Sequence, residues 1–527
     1  MSERSIHHNV ATWLDRHAQD RGTAEAVIDA HRRLRYAELA SRTARAAGVL
    51  AGAGVGPGER VAVLLGNSTP YLEVVLAAAR LGAMAVPVNV RWSQREIAVL
   101  LDDCTPRVVV HGEAQAQVLE RACAAARHQP ALRLLAGAPD DPYEAALASA
   151  EPQPAAPVSP DDPMILMYTS GTTGAPKGAL LPHRKTLYNA RNAEIFFRME
   201  GRDRVLVVVP LFHSFGLAIL ALPTLHVGGA LVLQARFDPA AVWRAVGEER
   251  IRFFGAVPTM FRSLHEELET APPARYELDS LRFLFTSGAP IPVELIRAYE
   301  RRGLVLKQGF GQTETSTLTC LDAADAIRKA GSVGRPVPYA VVRVVARQGL
   351  AEPPARWRDV VPGSGQTGEI VVRGPITMLG YWNRPEETAA TLREGWLRTG
   401  DLATVDPEGF LTLVGRAREL FISGGENVYP AEVEAVFETH PDLSEVAVVG
   451  VPDERWGEVG CAYVVLVPGA VLAPEALEAW ASDKLASFKI PRRFVAVPAL
   501  PRTETGKIQK WKLAPGALGP GAEDPAA

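Results

Sequence analysis

This sequence predicts an α/β fold with largely parallel sheets, and three observations carry the expectation. Short apolar runs of strand length alternate with helical patterns, as in buried strands covered by helices. A more β-rich stretch follows, around Val341 to Arg373 and Phe410 to Val414. Beyond Gly415-Arg-Ala-Arg-Glu419 a fresh α/β pattern begins and runs for about a hundred residues, enough for a small domain of its own. The chain has 527 residues, long enough for several domains at roughly 100–200 residues each.

The elements follow in chain order. The N-terminal MSERSIHHNVATWL has no long apolar core after its charges, so no signal peptide is expected. Gly52-Ala-Gly-Val-Gly-Pro-Gly58 lacks the spacing of a dinucleotide-binding loop and is broken by Pro57; a tight turn into the next strand accounts for it. Val61 to Leu65 is that strand, Tyr71 to Gly82 a helix, and Arg107 to His111 a second strand. Glu151 to Pro163, rich in proline and alanine, reads as a linker. Further strands are expected at Met164–Tyr168, Val205–Val209 and Leu281–Phe285. Gly216 to Leu233 approaches the length of a membrane span, but Pro223, His226 and Gly228-Gly229 interrupt it. A buried helix running into a buried strand is the better reading. Near the C-terminus, helices at Pro430–Thr439 and Pro474–Leu485 bracket strands at Val446–Val449 and Tyr463–Val467. The residues after Pro515 are mostly Gly, Pro, Ala and acids, which predicts disorder.

Composition narrows the class. Apolar content of 47% and charge of 22% are those of a soluble globular protein. A net charge of -4 gives no global attraction to nucleic acid or anionic membrane. Cys104, Cys123, Cys320 and Cys461 are far apart, without a CxxC pair, so free thiols in a reducing, cytoplasmic compartment are expected.

The most unusual stretch is YTSGTTGAPKG, from Tyr168 to Gly178, directly after the apolar run MILM. Glycines let backbone N–H groups approach an anion, hydroxyls add donors, and Lys177 adds charge, so the loop suits phosphate. It is not a Walker A motif, because Pro176 precedes the lysine and Gly178 follows it.

This loop resembles the signature of the adenylate-forming superfamily, which includes acyl-CoA synthetases, peptide-synthetase adenylation domains and firefly luciferase. The resemblance runs in order from about residue 10 to Leu513. It implies that Thr169, Ser170, Gly171, Thr172, Thr173, Gly174 and Lys177 hold the β- and γ-phosphates of ATP. Gly309-Phe-Gly-Gln-Thr-Glu314 is similar to the YGxTE motif: Phe310 would stack on adenine, Gly309 and Gly311 would line the site, Thr313 would bind the α-phosphate and Glu314 would bind Mg²⁺. Phe310 replaces the usual Tyr, which keeps the flat ring and loses the hydroxyl. Arg398-Thr-Gly-Asp401 is similar to the TGD motif, with Asp401 and Arg416 on the ribose. Pro210-Leu-Phe-His-Ser-Phe-Gly216 places His213 beside the acyl carboxylate, and pocket walls would come from Gly255–Met260, Ser287, Gly288 and Ala289. Pro501-Arg-Thr-Glu-Thr-Gly-Lys507 looks like the C-terminal catalytic loop, with Lys507 neutralising the crowded anionic transition state. Arg418 stands where the hinge residue is usually Asp or Lys. Ser423, Gly424 and Gly425, ahead of Asn427, are similar to the loop lining the thioester-forming tunnel. Trp456 and Phe488 are candidates for contact with the CoA nucleotide, and packing explains either equally well.

The resemblance implies an N-terminal domain of stacked α/β sheets with a β-rich subdomain over 1–416, a mobile α+β C-terminal domain over 417–515, and a tail over 516–527. It implies a carboxylic acid–CoA ligase using ATP, Mg²⁺ and coenzyme A by way of an acyl-adenylate. The expected pocket residues are mostly small and apolar, with no second charged anchor, which favours a fatty or aromatic monocarboxylate, the fatty acid first. Loading of a carrier protein is the alternative; Ala346 to Thr367 is either the extra segment such enzymes carry or an elongated hairpin loop. A fused carrier domain is not expected. A silent ATP- and acyl-binding scaffold is opposed by the presence of Lys177, Glu314, Asp401 and Lys507 together. A luciferase-like oxygenase has only the fold in its favour. No nucleic-acid partner and no transmembrane segment are expected, and homodimerisation is left open.

Overall fold

The computed structural model describes residues 4–137, 141–169, 176–272, 275–289, 291–423, 426–482, 484–502 and 508–513. The tail expected over 516–527 lies outside them. The chain divides into two compact units, Met1–Val342 with Val372–Leu397, and Arg343–Val371 with Arg398–Ala527.

The first unit contains two large sheets. One has seven strands in the order Gly380–Tyr381, Lys177–Pro182, Pro163–Thr169, Met84–Pro87, Arg60–Leu64, Val108–His111, Leu132–Leu135. Its last five strands are parallel, while Pro163–Thr169 and Lys177–Pro182 form an antiparallel pair. The other has nine strands, with a parallel centre of Leu306–Gln312, Phe283–Thr286, Phe253–Ala256, Arg204–Val207, Ala230–Leu233 and Glu25–Ile28. These strands read as continuous apolar runs because helices cover them. Trp243, Phe254, Phe261, Leu264 and Tyr299 pack between the nine-stranded sheet and its helices, and the buried Trp243 Nε1 donates to Leu264 O at 3.0 Å. The alternating pattern of the sequence is therefore realised as parallel α/β layers. The glycines at 52–58 form the expected turn, with Gly54 and Gly58 at φ +81° and +80°, ahead of strand Arg60–Leu64.

Two segments differ from a simple reading of their composition. Glu151 to Pro163 is a fixed strap rather than a free linker. Gln153 N donates to Ala44 O, Ala156 N to Arg80 O, and Ser5 and Val158 exchange backbone hydrogen bonds. Proline-rich chain cannot join a sheet ladder as a central strand, but its carbonyls still accept: the Arg80 guanidinium donates to Gln153 O and the Asn9 amide to Ala156 O. Gly216 to Leu233 does hold a helix and a buried strand, yet the helix begins as a π-helical stretch, Phe215–Ala221, before Leu222–Val227. Pro223 has no N–H to offer the carbonyl of Ile219, which removes one α-helical hydrogen bond at that point. Among the described residues, no helix is long and apolar enough to cross a membrane.

In the second unit, Trp396–Val405 and Leu411–Arg416 pair antiparallel within a five-stranded sheet. The connection over 347–367 folds back on itself: Val345 bridges Asp359, and Trp357 Nε1 donates to Glu352 O at 2.9 Å. It joins strands that are neighbours in the sheet, the arrangement of an elongated loop. A second five-stranded sheet is built around the long pair Leu443–Asp453 and Gly457–Leu466. Helices Pro430–Phe437 and Pro474–Ala481 accompany it, with Phe421, Val433, Phe437, Val448 and Leu477 in the core. All four cysteines are buried and free.

Candidate active site

Thr169 and Lys177 face each other in the antiparallel pair, so they are the two feet of the phosphate-type loop. The Thr169 hydroxyl donates to Lys177 O at 3.3 Å. Ser170, Gly171, Thr172, Thr173 and Gly174 lie outside the described residues. The loop returns into a strand and not into a helix. The expected anion contacts would thus draw on no helix N-terminus directly after the loop. Gly178 has a packing role: a Cβ there would lie 2.7 Å from Leu166 Cδ1.

Lys177 Nζ is 5.7 Å from the centroid of the Tyr381 ring and 4.0 Å from Glu387 Oε1. The Tyr381 hydroxyl donates to Glu314 Oε1 at 2.8 Å. The lysine of the loop and the glutamate of the GFGQTE motif are thus joined through a residue that neither motif contains. Glu314 itself sits in a tight turn between Leu306–Gln312 and Ser316–Cys320. Gln312 and Thr315 close that turn with backbone and side-chain hydrogen bonds at 3.2 Å each. Ser316 holds a left-handed φ of +57°, and a Cβ on Gly311 would lie 1.9 Å from Ser316 O, so only glycine fits at 311. Lys185, buried in the helix His183–Phe197, donates to Ser316 Oγ. Burial pushes its ammonium down to about 7, with the Glu314 charge opposing the shift. Among the described residues, no group of three His, Cys, Asp or Glu is placed to hold a metal ion. A single fixed carboxylate fits Mg²⁺ that takes its remaining oxygens from a nucleotide and water.

The residues expected on the acyl side lie at the carboxyl ends of parallel strands in the nine-stranded sheet, where open α/β sheets bind ligands. His213 follows Arg204–Val207, Ser287 and Gly288 follow Phe283–Thr286, and Gly309 to Gly311 lie on Leu306–Gln312. His213 is half-buried, its ring 4.6 Å from that of Phe212. Ser287 is buried, Gly288 has φ +93° and Ala289 is exposed. Phe310 is only 8% exposed, so little of its ring is open to a ligand; Thr313 is half-buried. A Cβ on Gly255 would lie 2.8 Å from the Phe215 ring, and one on Gly309 2.7 Å from Phe285. Those two rings meet edge-on at 5.7 Å.

In the second unit, Asp401 and Arg416 are cross-strand partners, with Arg416 Nε 2.7 Å from Asp401 Oδ1. Asp401 is 5% exposed, and its N–H donates to Thr399 Oγ1 at 3.0 Å. Arg398 forks onto Glu369 at 3.1 and 2.7 Å. The half-buried Arg418 is held below the usual guanidinium range, first by burial and then by Arg416. Ser423 is buried, while Gly424, Gly425 and Lys507 lie outside the described residues. An antiparallel bridge between Arg502 and Ile508 brings together the ends of the segment that carries Lys507. Lys510 anchors the chain just beyond, 2.6 Å from Glu434. Trp456 is 38% exposed with the Arg455 guanidinium 5.0 Å above its ring, whereas Phe488 packs on the core. Tyr381, Lys185, Glu387 and Lys510 carry site geometry that the motifs do not announce. The run Gly380-Tyr-Trp-Asn-Arg-Pro385, glycine and aromatics ahead of a proline, is the one sequence signal that pointed to any of them.

A family model described as AMP-binding enzyme matches residues 14–382, and one described as AMP-binding enzyme C-terminal domain matches 432–507. The chain is 41% identical to a feruloyl-CoA synthase from an Amycolatopsis species, over 96% of this chain and 98% of that protein. It is 37% identical to the long-chain-fatty-acid–CoA ligase FadD13 of Mycobacterium tuberculosis, over 91% and 92%. ATP-bound MatB from Rhodopseudomonas palustris superposes with a TM-score of 0.86 at 29% identity, covering 97% of this chain and 98% of that one.

Proposed function

This chain belongs to the AMP-binding enzyme family, as an ATP-dependent, AMP-forming acid–CoA ligase, and from that premise we propose that its substrate is a monocarboxylic acid carrying an aromatic ring. The observation that carries the substrate class is the likeness in sequence to a ligase whose name gives an aromatic acid. The relative with 41% identity acts, by its name, on an aromatic acid. A fatty acid, the first expectation from sequence, is the second reading, favoured by the 37% identity to FadD13.

The residues divide the work as follows. Lys177 and the loop it closes hold the β- and γ-phosphates, and Asp401 with Arg416 holds the ribose. His213 positions the carboxylate, Thr313 and Lys507 face the α-phosphate, and Ser423, Gly424 and Gly425 line the thiol's path. Glu314 would hold Mg²⁺, which neutralises triphosphate charge when bound. A carboxylate oxygen attacks the α-phosphorus, the α–β bridge breaks and pyrophosphate leaves. The CoA thiol, losing its proton, then attacks the acyl carbonyl, and AMP leaves with the bond electrons. Trp456 under Arg455 offers an open face for the CoA adenine. The region over 417–515 rotates between the half-reactions, with Arg418 at the hinge. ATP and CoA are intracellular co-substrates, which supports a cytoplasmic location.

A panel of acids incubated with Mg·ATP, with and without CoA, and read by mass spectrometry tests this. Aryl-propenoic and arylacetic acids should give acyl-CoA at least about tenfold more efficiently than straight chains of about twelve carbons or longer. Preference for the long chains would overturn the aromatic reading in favour of the fatty acid. Adenylate accumulating without acyl-CoA would point to a carrier-protein acceptor instead.

A further inference from the structure

Glu314 poses an electrostatic problem. A carboxylate near a triphosphate repels it unless a cation lies between them, and a free side chain would swing away from the anion. Something must hold it. Two groups from one short segment do so. Met378 N donates to the main-chain carbonyl of Glu314 at 2.8 Å, and the Tyr381 hydroxyl donates to its side chain, also at 2.8 Å. The segment is itself rigid. Gly380 and Tyr381 pair with Leu180 and Ala179 on the strand that starts at Lys177. Trp382 N donates to Gly178 O at 2.7 Å, Trp382 Nε1 to Asp103 O at 3.0 Å, and Tyr381 N to Thr388 Oγ1 at 2.8 Å. Tyr381 therefore belongs to the seven-stranded sheet while its hydroxyl acts on a residue of the nine-stranded one.

We propose that Tyr381 is a positioning residue for the metal-binding carboxylate, fixing Glu314 Oε1 so that Oε2 is presented to the Mg²⁺ of the bound nucleotide. The inference rests on the reading of Glu314 as that carboxylate. A carboxylate has room for about four hydrogen-bond or metal contacts, and one phenol uses a single one. Phenol is also neutral, so it orients the carboxylate without cancelling the charge that attracts the cation. Partners of this kind set the orientation of metal ligands, and their loss costs roughly 10–100-fold in metal affinity.

The test is Mn²⁺ affinity, measured by electron paramagnetic resonance, in the complex with an ATP analogue whose α–β bridge cannot be cleaved. Wild type, Tyr381→Phe and Glu314→Gln are compared, together with analogue binding in excess chelator. Tyr381→Phe keeps the ring and the backbone pairing. It should weaken Mn²⁺ about tenfold and leave metal-free analogue binding and the thermal midpoint where they were. Its rate-versus-Mg²⁺ curve should shift to higher concentration, with the maximal rate approached at saturation. Glu314→Gln should weaken Mn²⁺ at least as much. If Glu314→Gln weakens Mn²⁺ and Tyr381→Phe does not, the positioning role is wrong. Unchanged Mn²⁺ affinity in Glu314→Gln would overturn the carboxylate reading itself, and the Tyr381 role with it.

Discussion

Lys185 is 2% exposed, with its Nζ on the Ser316 hydroxyl next to the Glu314 turn. Burial pushes it down to about 7 from an ordinary 10.5; Glu314 acts against that shift and Arg184 with it. The unfolded chain therefore binds a proton between about pH 7 and pH 10 that the folded chain releases, so stability rises with pH across that window. The slope has a ceiling of about 1.4 kcal/mol per pH unit. Urea unfolding followed from about pH 7 to pH 9 should show this rise in wild type and a flatter profile in Lys185→Met. Parallel profiles in the two proteins would remove the buried, deprotonating lysine. Legibility at this scale follows motif membership. Lys177, Glu314 and Asp401 stand out because each sits in a dense cluster of unusual residues. Lys185 lies 131 residues from Ser316 in an ordinary run, and Tyr381 lies 67 from Glu314 in a run whose glycine and aromatics stand out but do not name a partner. Only the packing of one sheet beside the other reveals their partners.

Elements were legible wherever apolar period and length agreed. The strand expected at 61–65 is Arg60–Leu64, the helix expected at 71–82 is Thr69–Arg80, and the strand expected at 463–467 overlaps the end of Gly457–Leu466. Pairing was less visible, because the antiparallel partner of Pro163–Thr169 is the strand that carries the loop lysine itself. The strap over 151–163 was misleading for a different reason: its hydrogen bonds are made by distant side chains and helix ends, which leave no periodic trace. The N-terminal helix Thr12–Arg21 gives an element-scale prediction. Its approach is fixed by His183, whose Nδ1 accepts from Val10 N at 3.3 Å, and by His226, whose ring lies 4.5 Å from that of Trp13. Burial pushes both imidazoles down to about 4. The unfolded chain takes up protons below about pH 6.5 that the folded chain refuses until about 4, so this anchoring weakens as pH falls. Hydrogen exchange at about pH 5, corrected for intrinsic rate, should show protection lost in Thr12–Arg21 before the nine-stranded sheet. Equal protection at pH 5 and pH 7 would show that the histidines do not govern the helix.

For the molecule as a whole, the decisive question is how two chemically different steps share one set of residues. Adenylation needs a cation that reaches carboxylate and α-phosphate together, because both reactants are anions and the transition state concentrates their charge. Thioester formation has no such requirement, since the attacking group is a thiol and the leaving AMP is already stabilised by the contacts that bind it. A lysine used only in the first step should therefore be dispensable in the second. The family was legible in the sequence because every motif occurs in order across nearly the whole chain. The substrate was not, because which side chains would meet an acid depends on packing between residues far apart in sequence, and that leaves no motif. Lys507→Ala separates the half-reactions. It should lower adenylate formation from acid and Mg·ATP by at least about a hundredfold. Conversion of supplied acyl-adenylate and CoA to acyl-CoA should stay within about threefold of wild type, a difference of less than about 0.7 kcal/mol in barrier. Single-turnover measurement of each step on the same preparation gives both numbers. Equal loss in the two steps would mean that residue 507 supports the fold or both chemistries alike, and the division of labour would then have to be sought in the ribose contacts proposed for Asp401 and Arg416.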